Sequence, residues 1–297
     1  MTFKETVTFS LLGLIVGAII LILTTFSLKY SQPIPGSPRN LTKKAPVFKK
    51  TYNQPSFKDC YAIGGNKVQE NARIPILLYH YVEFVKDKKD KTRILMSIHP
   101  DYFEEQLKTL LLTNYTTVFV KEIPNILNGA PFGCMPAVAL SFDDGYVDFY
   151  TNVFPILKKY QAKATIYIIT NKIGKKDYLN EKQIRELIAS GLVEIGSHTK
   201  DHVDLNETSV EQSRQQIKES KKILEDEFGI PIQTFSYPYG HYKQRDIDLV
   251  KEASYSAAVT VSEGLIHSKG DIYTLKRVRP EKLLNKDIIK KLDAYLK

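Results

Sequence analysis

From Arg73 onward the chain repeats one alternation: a short, continuous apolar run, then a longer stretch with apolar residues at helical spacing. The runs at 74–79, 137–142, 164–169, 193–196, 233–237 and 257–261 read as buried strands, with 117–120 a β-branched and aromatic one and 272–275 a last short one. Helices are expected over 101–112, 147–160 (kinked or started near Pro155), 181–189, 209–228, 246–253 and 287–296. Buried strands joined through helices pair in parallel, with the helices outside. The count is about seven units and not a regular eight, so the expected fold is α/β, a distorted (β/α) barrel. Functional residues of such a barrel gather at the C-terminal ends of the strands.

Two short polar motifs stand at such ends. One is Ser141-Phe142-Asp143-Asp144-Gly145 and the other His198-Thr199-Lys200-Asp201-His202. Each is weak alone: Asp-Asp-Gly opens many turns, and a His-x-x-x-His pair is often solvated. Together they offer two adjacent carboxylates and two imidazoles. Asp144, His198 and His202 can supply three mixed oxygen and nitrogen ligands, and three ligands with open positions is the catalytic arrangement for Zn²⁺. Such a metal lowers the pKa of bound water and polarises a carbonyl. If Asp144 is a ligand, Asp143 is free to act as the base. Adjacent side chains diverge in an extended segment, so a turn at Gly145 is needed to bring both carboxylates to the mouth.

The N-terminal part has a different character. No charge lies between Glu5 and Lys29, and a helix over 6–28 would span roughly 34 Å at ~1.5 Å per residue, enough for a hydrocarbon core of about 30 Å. No small-residue cleavage pattern or lipidation cysteine follows, so an uncleaved signal anchor is expected after a short tail at 1–5. Residues 29–72 hold five prolines among Gly, Asn and Lys and read as a flexible basic linker. The domain proper is expected over 73–297. Lys4 stands alone on one side of the span, against Lys29, Arg39, Lys43 and Lys44 on the other, so charge would keep the domain cytoplasmic. An N-terminal anchor followed by a soluble domain suits export, and the expected place is the cell membrane, single-pass, with the domain extracytoplasmic.

Net charge is +9, with much of the excess in 29–58 and 86–93. No aromatic-studded basic stripe accompanies it, and nucleic acid is not an expected partner. Cys60 and Cys134 are the only two cysteines; they form no metal knuckle and could pair in an oxidising compartment. Oligomeric state is not legible.

The two motifs resemble those of the NodB-homology polysaccharide deacetylases, carbohydrate esterase family 4, with Ser141 in place of the family's Thr. A third family motif is matched by Ser236-Tyr237-Pro238-Tyr239-Gly240, and the resemblance runs over about 74–280. It implies that Asp143 is the base, that Asp144, His198 and His202 hold one divalent metal (Zn²⁺, with Co²⁺ or Ni²⁺ as options), and that the Tyr239 backbone N–H helps hold the oxyanion. Tyr237 and Pro238 are assigned to substrate contact. Ser236 stands where many members carry Arg, and Arg277 or Arg279 is expected to orient the base instead. The late Asp-Trp motif is absent, as the chain has no Trp. Leu77-Leu78-Tyr79-His80 places at the front the Leu-x-x-His that most members carry late. Members acting on poly-N-acetylglucosamine are similar in this, and His80 is the implied general acid.

The resemblance thus implies hydrolytic N-deacetylation of N-acetylglucosamine units in an extracellular polysaccharide, poly-N-acetylglucosamine before peptidoglycan or chitin. The alternatives are an inactive glycan-binding protein on the same fold, motivated by the missing third-motif Arg, and a cytoplasmic metal hydrolase of a small amide, if charge sets the topology.

Overall fold

The computed structural model describes residues 71–129, 136–280, 283 and 286–294. The expected tail, the anchor, nearly all of the linker, Cys60 and Cys134 lie outside the described residues. Among the described residues no helix is long and apolar enough to cross a membrane.

The strands are β1 (Asn71–Arg73), β2 (Ile76–Tyr79), β3 (Tyr81–Val82), β4 (Ser97–Ile98), β5 (Thr116–Val118), β6 (Ala137–Phe142), β7 (Ala164–Ile168), β8 (Val193–Ser197), β9 (Thr234–Ser236), β10 (Ala257–Glu263), β11 (Ile266–Ser268) and β12 (Leu275–Arg277). The α-helices are α1 (Lys91–Met96), α2 (Pro100–Leu112), α3 (Ile123–Leu127), α4 (Phe154–Tyr160), α5 (Glu181–Ala189), α6 (Val210–Phe228), α7 (Gln244–Glu252) and α8 (Lys286–Ala294). One sheet runs β12-β10-β9-β8-β7-β6-β2, with β5 also on β6, and every pairing in it is parallel. The two ends meet at a parallel bridge between Leu77 and Val278. There Leu78 N–H donates to Val278 C=O at 2.9 Å and Val278 N–H to Ile76 C=O at 2.8 Å. With β5 the sheet has eight strands, one more than the seven units expected, and it forms a nearly closed parallel barrel.

Alternation along each strand sorts the side chains. On β6, Val138, Leu140 and Phe142 join the layer under the helices, while Ala137 and Ala139 face the barrel interior with Ile76, Tyr167, Val259 and Leu275. The helices supply the facing stripe. Ser209 caps α6, Gly229 ends it at φ 66°, and Ile217, Leu224 and Phe228 are buried along one face. Each such side chain contributes about 1.5–3 kcal/mol on burial.

The interior also carries polar groups. The Glu194 carboxylate accepts from Thr165 Oγ1 at 2.7 Å, Thr234 Oγ1 at 2.9 Å and Lys121 N–H at 3.2 Å, and burial raises its pKa. Gly196 leaves room for the Tyr167 ring, since a Cβ there would sit 2.5 Å from two ring carbons.

Several boundaries differ from the expectations. The last strand is Leu275–Arg277 and not 272–275, and it meets β10 through a register shift. The stretch 147–160 is a π-helical turn, Phe149–Val153, followed by α4. Asn71 and Ala72, read as linker, pair antiparallel with β11. His267 is buried on β11 with Nε2 3.1 Å from Ile74 C=O, and burial lowers its pKa to about 4.

Candidate active site

The strands β2, β6, β8, β9 and β12 end or run out at one mouth of the barrel. Asp143 leaves β6 with its N–H donating to Tyr79 C=O on neighbouring β2 at 3.0 Å. The chain then turns one residue earlier than expected: Asp144 itself sits at φ 75° and Gly145 at φ 80°. A Cβ on Gly145 would meet Ile168 Cδ1 at 3.0 Å, so glycine is fitted to the turn by space as well as by φ.

The histidine pair is not helical. His198 N–H donates to Ile168 C=O at 3.0 Å, continuing the β7–β8 ladder. Thr199 and His202 have φ of 63° and 60°, and Thr199 Oγ1 accepts from His202 N–H at 3.0 Å. This tight loop brings the imidazoles together, ring centres 4.8 Å apart. Asp144 Oδ1 lies 3.4 Å from His198 Nε2 and 3.4 Å from His202 Nε2, and one ligand atom from each residue falls within 4.8 Å of the others. Asp144 Oδ1 is buried and has no hydrogen-bond partner of good geometry. His198 Nδ1 is 2.7 Å from Ser236 C=O, which fixes that nitrogen as the donor and leaves Nε2 with a lone pair toward Asp144. An orphaned carboxylate oxygen and two imidazole nitrogens around one point fit a divalent metal ion.

Asp143 is almost wholly buried and meets Arg277 in a two-pronged ion pair, Nη1 to Oδ1 at 2.8 Å and Nη2 to Oδ2 at 2.7 Å. Burial alone would raise the Asp143 pKa, but the guanidinium outweighs it and holds the carboxyl well below the usual range. Asp144 is lowered too, His198 overcoming its burial. Burial opposes charge on His198, yet Asp143 and Asp144 raise its pKa; His202, less favourably placed, is lowered to about 4 by burial and by His198. His80 stands at the end of β2, half-buried. Burial lowers its pKa against the pull of Asp143 and Asp144.

Tyr239 is 54 % exposed, its ring 4.6 Å from that of His202. Its backbone is left-handed at φ 59°, and Gly240 follows at φ 72° against Val261. Two expected substrate contacts are corrected. Tyr237 is fully buried among Phe235 and Tyr242, and Pro238 is buried as well, because alternation along β9 turns position 237 toward the helix layer. Of the two candidate arginines, Arg277 faces inward and reaches Asp143; Arg279 is exposed and makes no hydrogen bond to it, though its charge is felt at His80. Among the other histidines, His99 Nδ1 accepts from Asp101 N–H at the start of α2, and exposed His241 pairs with Asp204 at 2.7 Å.

Known proteins are similar to this chain in sequence and fold. The family model described as polysaccharide deacetylase matches residues 133–258. A Bacillus subtilis protein named for the polysaccharide deacetylases, YxkH, is 32% identical over 213 residues, covering 72% of this chain and 73% of its own length. The poly-beta-1,6-N-acetyl-D-glucosamine N-deacetylase of Staphylococcus aureus is 25% identical over 231 residues, 73% of this chain and 79% of that protein. The Streptococcus pyogenes deacetylase PplD, solved in complex with acetate, superposes with a TM-score of 0.68 at 28% identity, over 74% of this chain and 98% of that one. The chain therefore belongs to the polysaccharide deacetylase family and is a hydrolase of that class.

Proposed function

We propose that this chain removes acetyl groups from N-acetylglucosamine units of an extracellular polysaccharide, with poly-N-acetylglucosamine as its substrate. The observation that carries this reading is the convergence at one barrel mouth of the Asp144–His198–His202 triad, an arginine-paired carboxylate, and a histidine delivered by the first barrel strand. The likeness to the staphylococcal enzyme supports the polymer, as does the Leu-x-x-His at the front of the domain.

Asp144, His198 and His202 hold the metal, with Zn²⁺ as the proposed ion. When bound, it polarises the acetamide carbonyl and makes water a nucleophile at neutral pH. Asp143, kept ionised by Arg277, accepts the proton of the attacking water. The Tyr239 N–H donates to the oxygen that gains charge as the carbonyl becomes tetrahedral. His80 gives a proton to the departing nitrogen, and its burial-depressed pKa makes it a ready donor once charged. The products are acetate and a glucosamine unit. Loss of the third-motif Arg, the reason to consider an inactive protein, is offset by Arg277.

The proposal includes a single-pass anchor at 6–28, a linker to residue 72 and a domain outside the cell membrane. The uncharged run between Glu5 and Lys29 supports it. Protease added to intact cells should digest the domain; full protection would sink the exported reading.

Acetate release tests the activity. The full chain in detergent, freed of metal by chelation, should release acetate from poly-N-acetylglucosamine oligomers only when Zn²⁺, Co²⁺ or Ni²⁺ is restored. Release from peptidoglycan instead would reassign the polymer, and release from neither would remove the proposed function.

A further inference from the structure

Three segments bring tyrosines together beside the site residues. Tyr81 follows His80, Tyr146 lies two residues past Asp144, and Tyr178 is tied to Tyr146 by an antiparallel bridge. Val147 N–H donates to Asp177 C=O and Leu179 N–H to Gly145 C=O, both at 2.9 Å, so the second and third loops are stitched together. The first is held from both sides at Val82: its N–H donates to Asp148 Oδ2 at 2.5 Å, and Asn152 Nδ2 donates to its C=O at 2.8 Å.

The rings form a pile. Tyr81 and Tyr146 stack with centres 3.9 Å apart and planes at 21°, and Tyr146 and Tyr178 lie 5.0 Å apart at 35°. The Arg93 guanidinium carbon sits 4.6 Å over Tyr81, necessarily on the face that Tyr146 leaves open, and Glu83 grips it through Nε and Nη2. Both faces of Tyr81 are covered, and Tyr146 is flanked by the other two rings. A sugar ring cannot lie on these faces; what the pile offers is its hydroxyl edge.

We propose that Tyr81, Tyr146 and Tyr178 form a subsite beside the metal triad that binds hydroxyl groups of the glycan chain. The inference deepens the amino-sugar reading above and rests on it. Each phenol hydroxyl both donates and accepts, so it can bind a sugar hydroxyl in either sense. Tyr81 is next to His80 in the chain and Tyr146 is two residues past Asp144, which places the pile beside the site residues. Tyr239, by contrast, keeps an exposed ring against His202 and offers a face to the C–H side of a sugar.

Phenylalanine keeps the rings and their stacking but removes the hydroxyls. Calorimetric titration of the metal-loaded full chain in detergent with a β-1,6-linked N-acetylglucosamine tetramer tests the subsite. With Tyr81→Phe, Tyr146→Phe and Tyr178→Phe combined, Kd should rise roughly 3–10-fold, the worth of one or two neutral hydrogen bonds. The single Tyr178→Phe variant, at the edge of the pile, guards against misfolding of the triple variant and should show part of the rise. An unchanged Kd in both, or a parent chain that does not bind the tetramer, overturns the subsite. Acetate release measured on the same tetramer is read separately. A parent that binds but releases no acetate, with weaker binding in the variants, keeps the subsite and removes the substrate assignment; acetate release with Kd unmoved does the reverse.

Discussion

Arg277 spends every nitrogen on the site: Nη1 and Nη2 take the two oxygens of Asp143 and reach Ser141 Oγ at 3.3 Å and Ser236 Oγ at 3.2 Å, while Nε donates to Thr260 C=O at 2.7 Å. This explains the small residue at position 236. A long side chain there would occupy the space through which Arg277 approaches Asp143. The ion pair is fully desolvated, so it is stable only while both members are present.

Arg277→Met should therefore cost about 3–5 kcal/mol of stability, the typical penalty for stranding a buried charge. In this variant Asp143 is buried without a partner, so its folded pKa rises above the unfolded value. Its contribution to stability is then present at low pH and is lost as pH rises through neutrality. In the parent chain the folded pKa is depressed, so the contribution is present above the unfolded carboxyl pKa and is lost only on strong acidification. Melting temperatures between pH 5 and 8 should fall with rising pH in Arg277→Met relative to the parent. Adding Asp143→Asn to Arg277→Met should recover much of the loss.

Asp143→Asn alone should leave the metal bound, since Asp143 is outside the ligand triad, and should lower turnover by about 10²–10⁴-fold, the usual contribution of a positioned base. Metal content and acetate release measured on one preparation check both halves. Undiminished turnover would remove Asp143 from the mechanism.

Chelation should abolish turnover, and His202→Ala should weaken metal binding. Binding to the folded state alone raises stability by RT ln(1 + [L]/Kd), about 2.7 kcal/mol at a hundredfold excess over Kd. The melting temperature should thus climb with added Zn²⁺ in the parent and much less in His202→Ala. Equal shifts in the two proteins would place the ion elsewhere.

Gly240→Ala tests the Tyr239 backbone. Gly240 has φ 72°, and a Cβ there would lie 2.2 Å from Val261 Cγ2 and 2.7 Å from Val261 N. The chain must shift, carrying the Tyr239 N–H with it, so turnover should fall at least tenfold with metal content kept. Since the neighbouring atoms include backbone, a stability loss of about 1–3 kcal/mol should accompany it. Unaltered acetate release would argue against an oxyanion role for Tyr239.

The parallel barrel was legible because buried strands and helices differ in period and length, and Ala137–Phe142 was read to the residue. The site was legible where it hangs on strand ends: Asp143, Asp144, His198 and His202 come together as residue types and spacing suggested. What spacing could not give is how the imidazoles meet. An i, i+4 pair suggests a helix, yet here two left-handed residues, Thr199 and His202, make the approach. Tyr237 was misplaced for a related reason. Its neighbour Tyr239 reaches the mouth, but strand alternation sends Tyr237 outward into the core, and motif membership says nothing about facing. Arg277 and Arg279 are two residues apart, so alternation would give them one facing; Arg277 is the last residue of β12 and is buried, while Arg279 lies past the end of the strand and is exposed. The tyrosine pile was invisible because its members come from three segments far apart in the sequence.

The strand that carries Arg277 is also the one that closes the barrel, through Leu77 and Val278. The carboxylates and imidazoles precede that strand in the chain. The contact that completes the sheet is thus also the one that brings Asp143 its cation, so loss of the last strand would open the barrel and strip the carboxylate of its partner at once.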